Sequence, residues 1–478
     1  MGTFHNISSG LDLPITGSPL QELSDANLDN PQTHVALMAE DYFCMKPKMH
    51  CKVGDEVKRG QLLFEDRKNE GVKFTAPAAG KISAINRGEK RAFQSLVIEL
   101  SETERQNNGI NTQNNTESTD FTNFENFQSD MSEATSDQIR ALLIESGLWT
   151  RLRSRPFCRT PEVDSNPNAL FITCTESDPL SPNIEHQVED RVDDIISGVK
   201  ILIKMLEGTD AKTFVCTEQA SSIPNISGTE THRFTGKHPY GLVGTHMAKL
   251  YPVTRKRVCW YIHAQDVADI GFLFRTGRLN ASRVISIGGP MVSNPRLLKT
   301  RIGASIDKII ENELKSVDDE EGNSVVIRTI SGSCLSGRTA KGDVLGYLGI
   351  FHRQITALGE GTQKEFIGWL LPGADKFSTI PTFVSALFSG KLFDFTTTTN
   401  GEHREMVPIG MYERVMPLDI MPTFLLRALE IGDLDNAEKL GALELDAEDL
   451  SLCSFVCPGK ADHGSNLRKA LFTIWKEG

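Results

Sequence analysis

Val57-Lys-Arg-Gly-Gln-Leu-Leu-Phe-Glu-Asp66, followed by Phe74-Thr-Ala-Pro-Ala-Ala-Gly80, carries the clearest architectural signal in the sequence. A short β-leaning run, Gln61 to Glu65, lies between Gly60 and a turn at Asn69 to Gly71. It is too short for a helix and is bounded by turn formers, so it reads as a strand. The same rhythm continues on both sides. Val53 and Val57 flank Gly54-Asp55, Lys81 to Ile85 follows Ala79-Gly80, and Leu96 to Leu100 follows Arg87-Gly88. Many short strands with glycine-containing turns predict a compact all-β unit over 34–100.

Upstream, 1–33 is polar and punctuated by Pro14, Gly17, Pro19 and Pro31, which predicts an extended arm with little core of its own. Downstream, Ser101 to Met131 is rich in Asn, Thr and Gln and poor in aliphatics, so 101–136 reads as a mobile polar insertion. Order resumes with a capping box, Thr135-x-x-Gln138, ahead of Ile139, Leu142 and Leu143, with Gly147 as the stop. A strand at Ala169 to Thr173, a long helix carrying Val188, Val192, Ile195, Ile196, Val199, Ile203 and Leu206, and a strand at Thr213 to Cys216 form a βαβ unit. That pattern signals a parallel sheet and predicts a Rossmann-like α/β domain over 137–281. Arg257 to His263 and Arg283 to Ile287 read as further strands. In the mixed to helical 351–478 region, short helices are expected at Pro422 to Ile431 and Asn436 to Leu440, with a closing stripe at Leu467, Leu471, Ile474 and Trp475.

The 478 residues divide at roughly 150 per domain into about three domains. Apolar residues including glycine make up roughly 46%, a globular proportion that supports several cores. The balance of 51 basic against 63 acidic residues gives −12, without the basic excess of a duplex binder, so no nucleic-acid partner is expected. No segment approaches the ~20 apolar residues of a spanning helix, and the N-terminus lacks a signal-peptide pattern. Nine cysteines without C-x-x-C fit reduced thiols. A soluble cytoplasmic chain is the expectation.

Motifs for resident chemistry are incomplete. The strand ending at Thr173 runs into CTESDPLSPNIEHQ, with no glycine to let a pyrophosphate approach the backbone, and Gly359-Glu-Gly361 lacks its third glycine. Gly332-Ser-Cys-Leu-Ser-Gly337-Arg338-Thr339 nearly matches a phosphate loop, but Arg338 replaces its lysine and strand-and-turn material follows where a helix should start. Cys453 and Cys457 supply two of the four thiolates that an iron–sulfur cluster needs. His238 and His246 have loop spacing, unlike a helical zinc pair, and neither G-x-S-x-G nor H-E-x-x-H occurs. No catalytic, cofactor-binding or metal residue is assigned.

The β-rich unit resembles the hammerhead half-barrel of lipoyl and biotin carrier domains. Lys68 lies near the hairpin tip where a carrier lysine sits, but its neighbours are Arg67 and Asn69. The barrel is therefore read as unmodified, with a group carrier as the alternative.

Taken as an ordered set, GLDLPI (10–15), GQLLFED (60–66), FTAPAAG (74–80), INRGEKR (85–91), SGLWT (146–150), RPF (155–157), GLVGTH (241–246), NPRLLKTRIGAS (294–305), SGSCLSGR (331–338) and FVCPGK (455–460) resemble the A-subunit family of sodium-translocating NADH:quinone reductases (Na+-NQR). The insertion is longer here than the family pattern. The resemblance implies an α+β multidomain fold. Its parts are a lipoyl/biotinyl-like barrel-sandwich, a Rossmann-like domain, a soluble-ligand-binding β-grasp at 282–350 and a C-terminal helical region. It also implies kinship with the flavin subunit of complex I and the C subunit of the Rnf complex. The implied setting is a peripheral position on the cytoplasmic face of the inner membrane. The chain would join five others in a translocase that oxidises NADH, reduces ubiquinone and exports Na⁺. No tightly bound redox cofactor is expected on this chain; NADH, flavins and iron–sulfur centres belong to other subunits. The arm is expected to contact a membrane subunit. Ubiquinone is a candidate ligand, with Tyr42, Arg155 and Phe157 as contact candidates: Arg155 to donate to a quinone oxygen, Phe157 to pack on the ring, Tyr42 to do either. An interdomain contact is the competing reading for these three. A stand-alone flavin or NAD oxidoreductase is the remaining alternative.

Overall fold

In a computed structural model of the chain, residues 2–24, 31–107, 120–131, 133–318, 322, 324–362 and 370–477 are described. The arm carries two strands, β1 (Thr3–Ile7) and β2 (Leu20–Ser24), each lent to the edge of a different downstream sheet. The described part of the arm is pinned by backbone pairing. Ile7 and Ile15 are buried.

Seven strands build the barrel: β3 (His34–Met38), β4 (Pro47–Met49), β5 (Glu56–Val57), β6 (Leu62–Asp66), β7 (Lys73–Thr75), β8 (Gly80–Arg87) and β9 (Phe93–Leu100). They form a four-stranded sheet, β3-β9-β8-β5, over a three-stranded one, β4-β6-β7. Leu63, Phe64, Phe74, Ile82, Leu96 and Ile98 fill the space between them. Alternation turns Phe74, Ile82, Leu96 and Ile98 inward, whereas the consecutive Leu63 and Phe64 are both buried at an irregularity in the β6–β7 register.

Only the flanks of the polar insertion are described. Residues 108–119 and 132 lie outside the described residues, but both flanks are packed. A short helix, α1 (Glu102–Asn107), buries Glu104, and Phe124 is buried against Gly60. Glu104 accepts from Arg59 Nε at 2.9 Å, from Arg301 Nη2 at 2.8 Å and from the Ala79 amide at 3.0 Å. A fully partnered carboxylate can enter the interior where a run of aliphatics would otherwise be needed.

Next come α2 (Ser136–Ser146), with both capping-box bonds in place, and the edge strand β10 (Arg153–Arg155). The α/β unit continues with β11 (Ala169–Cys174), α3 (Ile184–Val188), α4 (Val192–Met205), β12 (Lys212–Glu218), β13 (Glu230–Gly236), α5 (Val243–Leu250), β14 (Cys259–His263) and α6 (Ala264–Thr276). Its sheet runs β1-β13-β12-β11-β14-β10, parallel except for β10. The long helix expected from Val188 to Leu206 is divided at Glu189–Arg191, where Arg191 turns to reach Asp269 at 2.8 Å. α4 and α6 cross at Gly198 and Gly271. A Cβ on either would strike the opposing backbone, Val267 O or Asp194 O, at about 2 Å, so glycine permits the close approach.

The β-grasp comprises β15 (Ser282–Gly288), β16 (Arg296–Arg301), α7 (Ile306–Ile309), β17 (Ile327–Ser331), β18 (Arg338–Thr339), α8 (Gly342–Leu345) and β19 (Gln354–Gly359). The sheet order is β18-β17-β19-β15-β16-β2. β19 is central, parallel to β15 and antiparallel to β17, so the sheet runs past residue 350, the expected limit of this unit. The phosphate-loop near match forms the turn between β17 and β18. There Gly332 (φ +97°) lies under the His352 ring. The C-terminal region packs α9 (Met411–Val415), α10 (Pro422–Ile431), α11 (Leu434–Lys439), α12 (Ser451–Val456) and α13 (His463–Glu477) around its own core.

Candidate functional site

The chain leaves β11 toward β12 on one side and returns to β14 on the other, so β11 and β14 border the sheet's switch point. In open α/β sheets the crevice beyond the carboxyl ends of such strands is where ligands bind. In this chain side chains fill it. His263, at the end of β14, receives the Gln265 amide on Nδ1 at 3.2 Å, which leaves Nε2 to carry the hydrogen and face Glu176 Oε1 at 3.0 Å. Arg353, from the β-grasp, reaches the same Glu176 oxygen at 3.6 Å and Asp266 at 3.8 Å. Asp266 also pairs with Arg283 at 2.8 Å and Arg151 at 3.5 Å.

Burial alone would raise the Asp266 carboxyl, but these three guanidiniums outweigh it and hold the group well below the usual range. For Glu176 the balance is reversed: burial exceeds the attraction of Arg353 and lifts the carboxyl. The loop after β11, without a glycine to admit a phosphate, turns Ser177 to His238 at 3.0 Å and accepts the Gly241 amide on Ser177 Oγ at 2.9 Å. The crevice thus works as a charged lock between the α/β domain and the β-grasp.

A second seam joins the α/β domain to the C-terminal helices and contains the candidate quinone contacts. Arg155 is fully buried, donating to Asp449 Oδ2 at 2.7 Å and Glu444 O at 3.0 Å. Burial disfavours the guanidinium, but Asp449 more than compensates and raises it well above its ordinary value. Phe157 adopts φ +77° and packs against the C-terminal core. Such a conformation is unusual for a bulky residue and is held by packing. Tyr42 is buried at the barrel side, edge-on to Phe74 at 4.7 Å and to Phe351 at 5.9 Å.

Tyr42 and Arg155 are linked through residues that the sequence did not single out. Arg153 lies between Phe351, 4.4 Å from the ring centre, and Tyr261, at 4.5 Å; Arg155 lies 5.6 Å from the same Tyr261 ring. The result is a ladder of alternating rings and guanidiniums, Tyr42–Phe351–Arg153–Tyr261–Arg155, crossing three domains. Alternating Arg153 and Arg155 on a short strand was the one local signal for it. Its members mostly make interdomain contacts, although Arg155 Nε and the Tyr261 hydroxyl have no hydrogen-bond partner among the described residues.

The other chemical candidates have structural surroundings. Cys457 Sγ lies 3.2 Å from the Tyr412 hydroxyl, and Cys453 is buried beside it. Among the described residues no group of three or more His, Cys, Asp or Glu side chains could hold a metal. Lys68 lies at the hairpin tip with its ammonium 5.1 Å from the Trp475 ring and 5.7 Å from Phe472, both on α13.

Three family models match in order: the NqrA N-terminal barrel-sandwich hybrid domain over 5–101, the NqrA second alpha/beta domain over 134–279 and the NQRA C-terminal domain over 284–342. The A-subunit of the Na(+)-translocating NADH-quinone reductase of Vibrio anguillarum is 47% identical over 474 residues, 99% of each chain. The Vibrio alginolyticus protein of the same name is 48% identical, and that of Hahella chejuensis 47%, each over 99% of both chains. A solved NAD+-reducing NiFe hydrogenase overlaps 48% of each chain at 9% identity with a TM-score of 0.33, too distant to inform the reading. Nearly half identical to these relatives from end to end, the chain belongs to the NqrA family, the A-subunits of Na+-translocating NADH-quinone reductases.

Proposed function

We propose that the chain serves docking and assembly in a reductase that passes electrons from NADH to ubiquinone and exports Na⁺. It holds no tightly bound redox cofactor itself, and flavins and iron–sulfur centres reside on the other five subunits. The observation that carries this reading is the filled switch-point crevice, where Arg353, Glu176, His263 and Asp266 occupy the place a dinucleotide would take. Among the described residues no helix is long and apolar enough to cross a membrane, which fits a peripheral position, proposed on the cytoplasmic face. The arm contributes Phe4, which is largely exposed on β1, to contact with a membrane subunit.

Isolation of the full chain tests the reading. The expected product is colourless, does not oxidise NADH and has the unmodified mass; stoichiometric flavin, or a lipoyl or biotinyl mass on Lys68, overturns it. A second reading, quinone contact, is favoured by Arg155 Nε and the Tyr261 hydroxyl, which lack a hydrogen-bond partner among the described residues. A quinone photoprobe should label the Arg155–Phe157 segment and lose that label in Phe157→Ala. Labelling confined to other subunits removes this second reading.

A further inference from the structure

Nine of the twenty large apolar side chains exposed among the described residues fall within 370–409. Leu387 is 81% exposed, Leu370 65% and Phe388 56%. Between 371 and 409 the only helical element is a single 3-10 turn, Val384–Leu387. The back of this strip is anchored, because Phe377, Phe393 and Phe395 form a cluster of rings with Phe455 of α12. Its edge is tied to the arm, where the Phe393 amide donates to Pro14 O and the Thr16 amide to Phe393 O. A fixed surface therefore presents apolar side chains to water.

Three observations identify what covers it. Nine exposed large apolar side chains within forty residues are a concentration rather than the single scattered hydrophobics of an ordinary surface, and such a concentration marks an interaction site. A cavity of about 260 Å³ opens in the strip, lined by Phe377, Phe383, Phe388 and Phe393. That is below the ~300 Å³ floor of small-molecule sites and suits one or two protruding side chains. The segment 377–390 has no charged residue, and 370–409 as a whole carries three basic against four acidic residues. Binding to an anionic bilayer relies on a basic excess, which is missing here, and Lys391 bends back to Ala374 O and the Phe393 ring.

We infer that the 370–409 strip is the surface on which another subunit of the same reductase docks, through an uncharged apolar segment that inserts a side chain into the phenylalanine-lined cavity. This rests on the proposed docking role and names the surface that performs it.

The test uses the whole reductase, solubilised from membranes and captured by a tag on another subunit. Leu387→Asp combined with Phe388→Asp should lower recovery of this chain by about tenfold or more, as expected for charges placed in an interface centre. Its thermal midpoint as an isolated protein should stay at the wild-type value. Ile431→Asp, exposed on α10 outside the strip, should leave recovery unchanged. Wild-type recovery of the double variant overturns the assignment, and so does an equal loss with Ile431→Asp. Two further results would also overturn it: wild-type dimers in light scattering that the double variant abolishes, or wild-type flotation with phosphatidylethanolamine–phosphatidylglycerol vesicles that the variant loses. If the wild-type chain itself is not recovered with the tagged complex, the docking role fails, independently of where the surface lies.

Discussion

In the seam beside β11 and β14, Asp266, Asp269 and Arg283 are almost wholly shielded from water, whereas in the 370–409 strip Leu387 and Leu370 stand mostly in it. The two regions invert the usual placement of charge and oil in opposite senses, and the inversion has a different physical basis in each. Buried charges persist because each has a partner inside the same chain; removing one partner leaves the other stranded. Exposed leucines have no such internal answer, and their anchored backs show that they are not loose. The seam is thus complete within this chain, and the strip is complete only with another.

The largest expected effect lies in the buried charges. Glu104→Ala strands Arg59 and Arg301 and should cost about 3–5 kcal/mol of unfolding free energy, read by denaturant titration. Burial would raise the Glu104 carboxyl, but the guanidiniums of Arg301 and Arg59 hold it down to about 2. Because the folded value is depressed, its contribution is full above about 4.5 and is lost as pH falls toward about 2. A loss under 1 kcal/mol at neutral pH would show that the triad is not self-contained.

His246 gives the next effect. It is fully buried, with Nε2 2.9 Å from Tyr240 O, and burial pushes the imidazole down to about 3. Unfolding then takes up a proton below about 6.5, so wild-type stability falls as pH drops. His246→Asn should gain on the wild type by about 1.4 kcal/mol per pH unit between pH 6 and 4. A flat difference refutes the neutral buried imidazole. The uncharged 377–390 stretch contributes nothing to such a profile.

Smaller still, Lys68→Ala removes an ammonium from over two rings and should cost about 0.5–1 kcal/mol. Leu387→Asp in the isolated chain should stay within about 0.5 kcal/mol of wild type, as for other surface changes. A larger loss would move the strip from interface to core.

Local signals were legible where one segment sufficed to make the element. The Thr135–Gln138 capping box forms both bonds, and Pro422–Ile431 is a helix with Gly432 as its stop. Features made by distant partners were not. Glu104 sits in SETERQNN, where nothing marks it for burial; its partners are 45 and 197 residues away. The break after Val188 coincides with an ion pair from Arg191 to Asp269 of another helix. Tyr42 and Arg155 were selected by resemblance, but their links through Arg153, Tyr261 and Phe351 required three domains to be in place. The 377–390 strip gave no signal of its own, because exposed and buried phenylalanines share the same letters until the fold separates them.

The hairpin tip at Lys68 has one more consequence. In a group carrier that tip must swing free; here it is held against Trp475 of α13. The barrel can therefore make this contact only after α13, far downstream in the sequence, has been synthesised. The stacked lysine thus closes a loop of some four hundred residues and ties the barrel to the C-terminal helices.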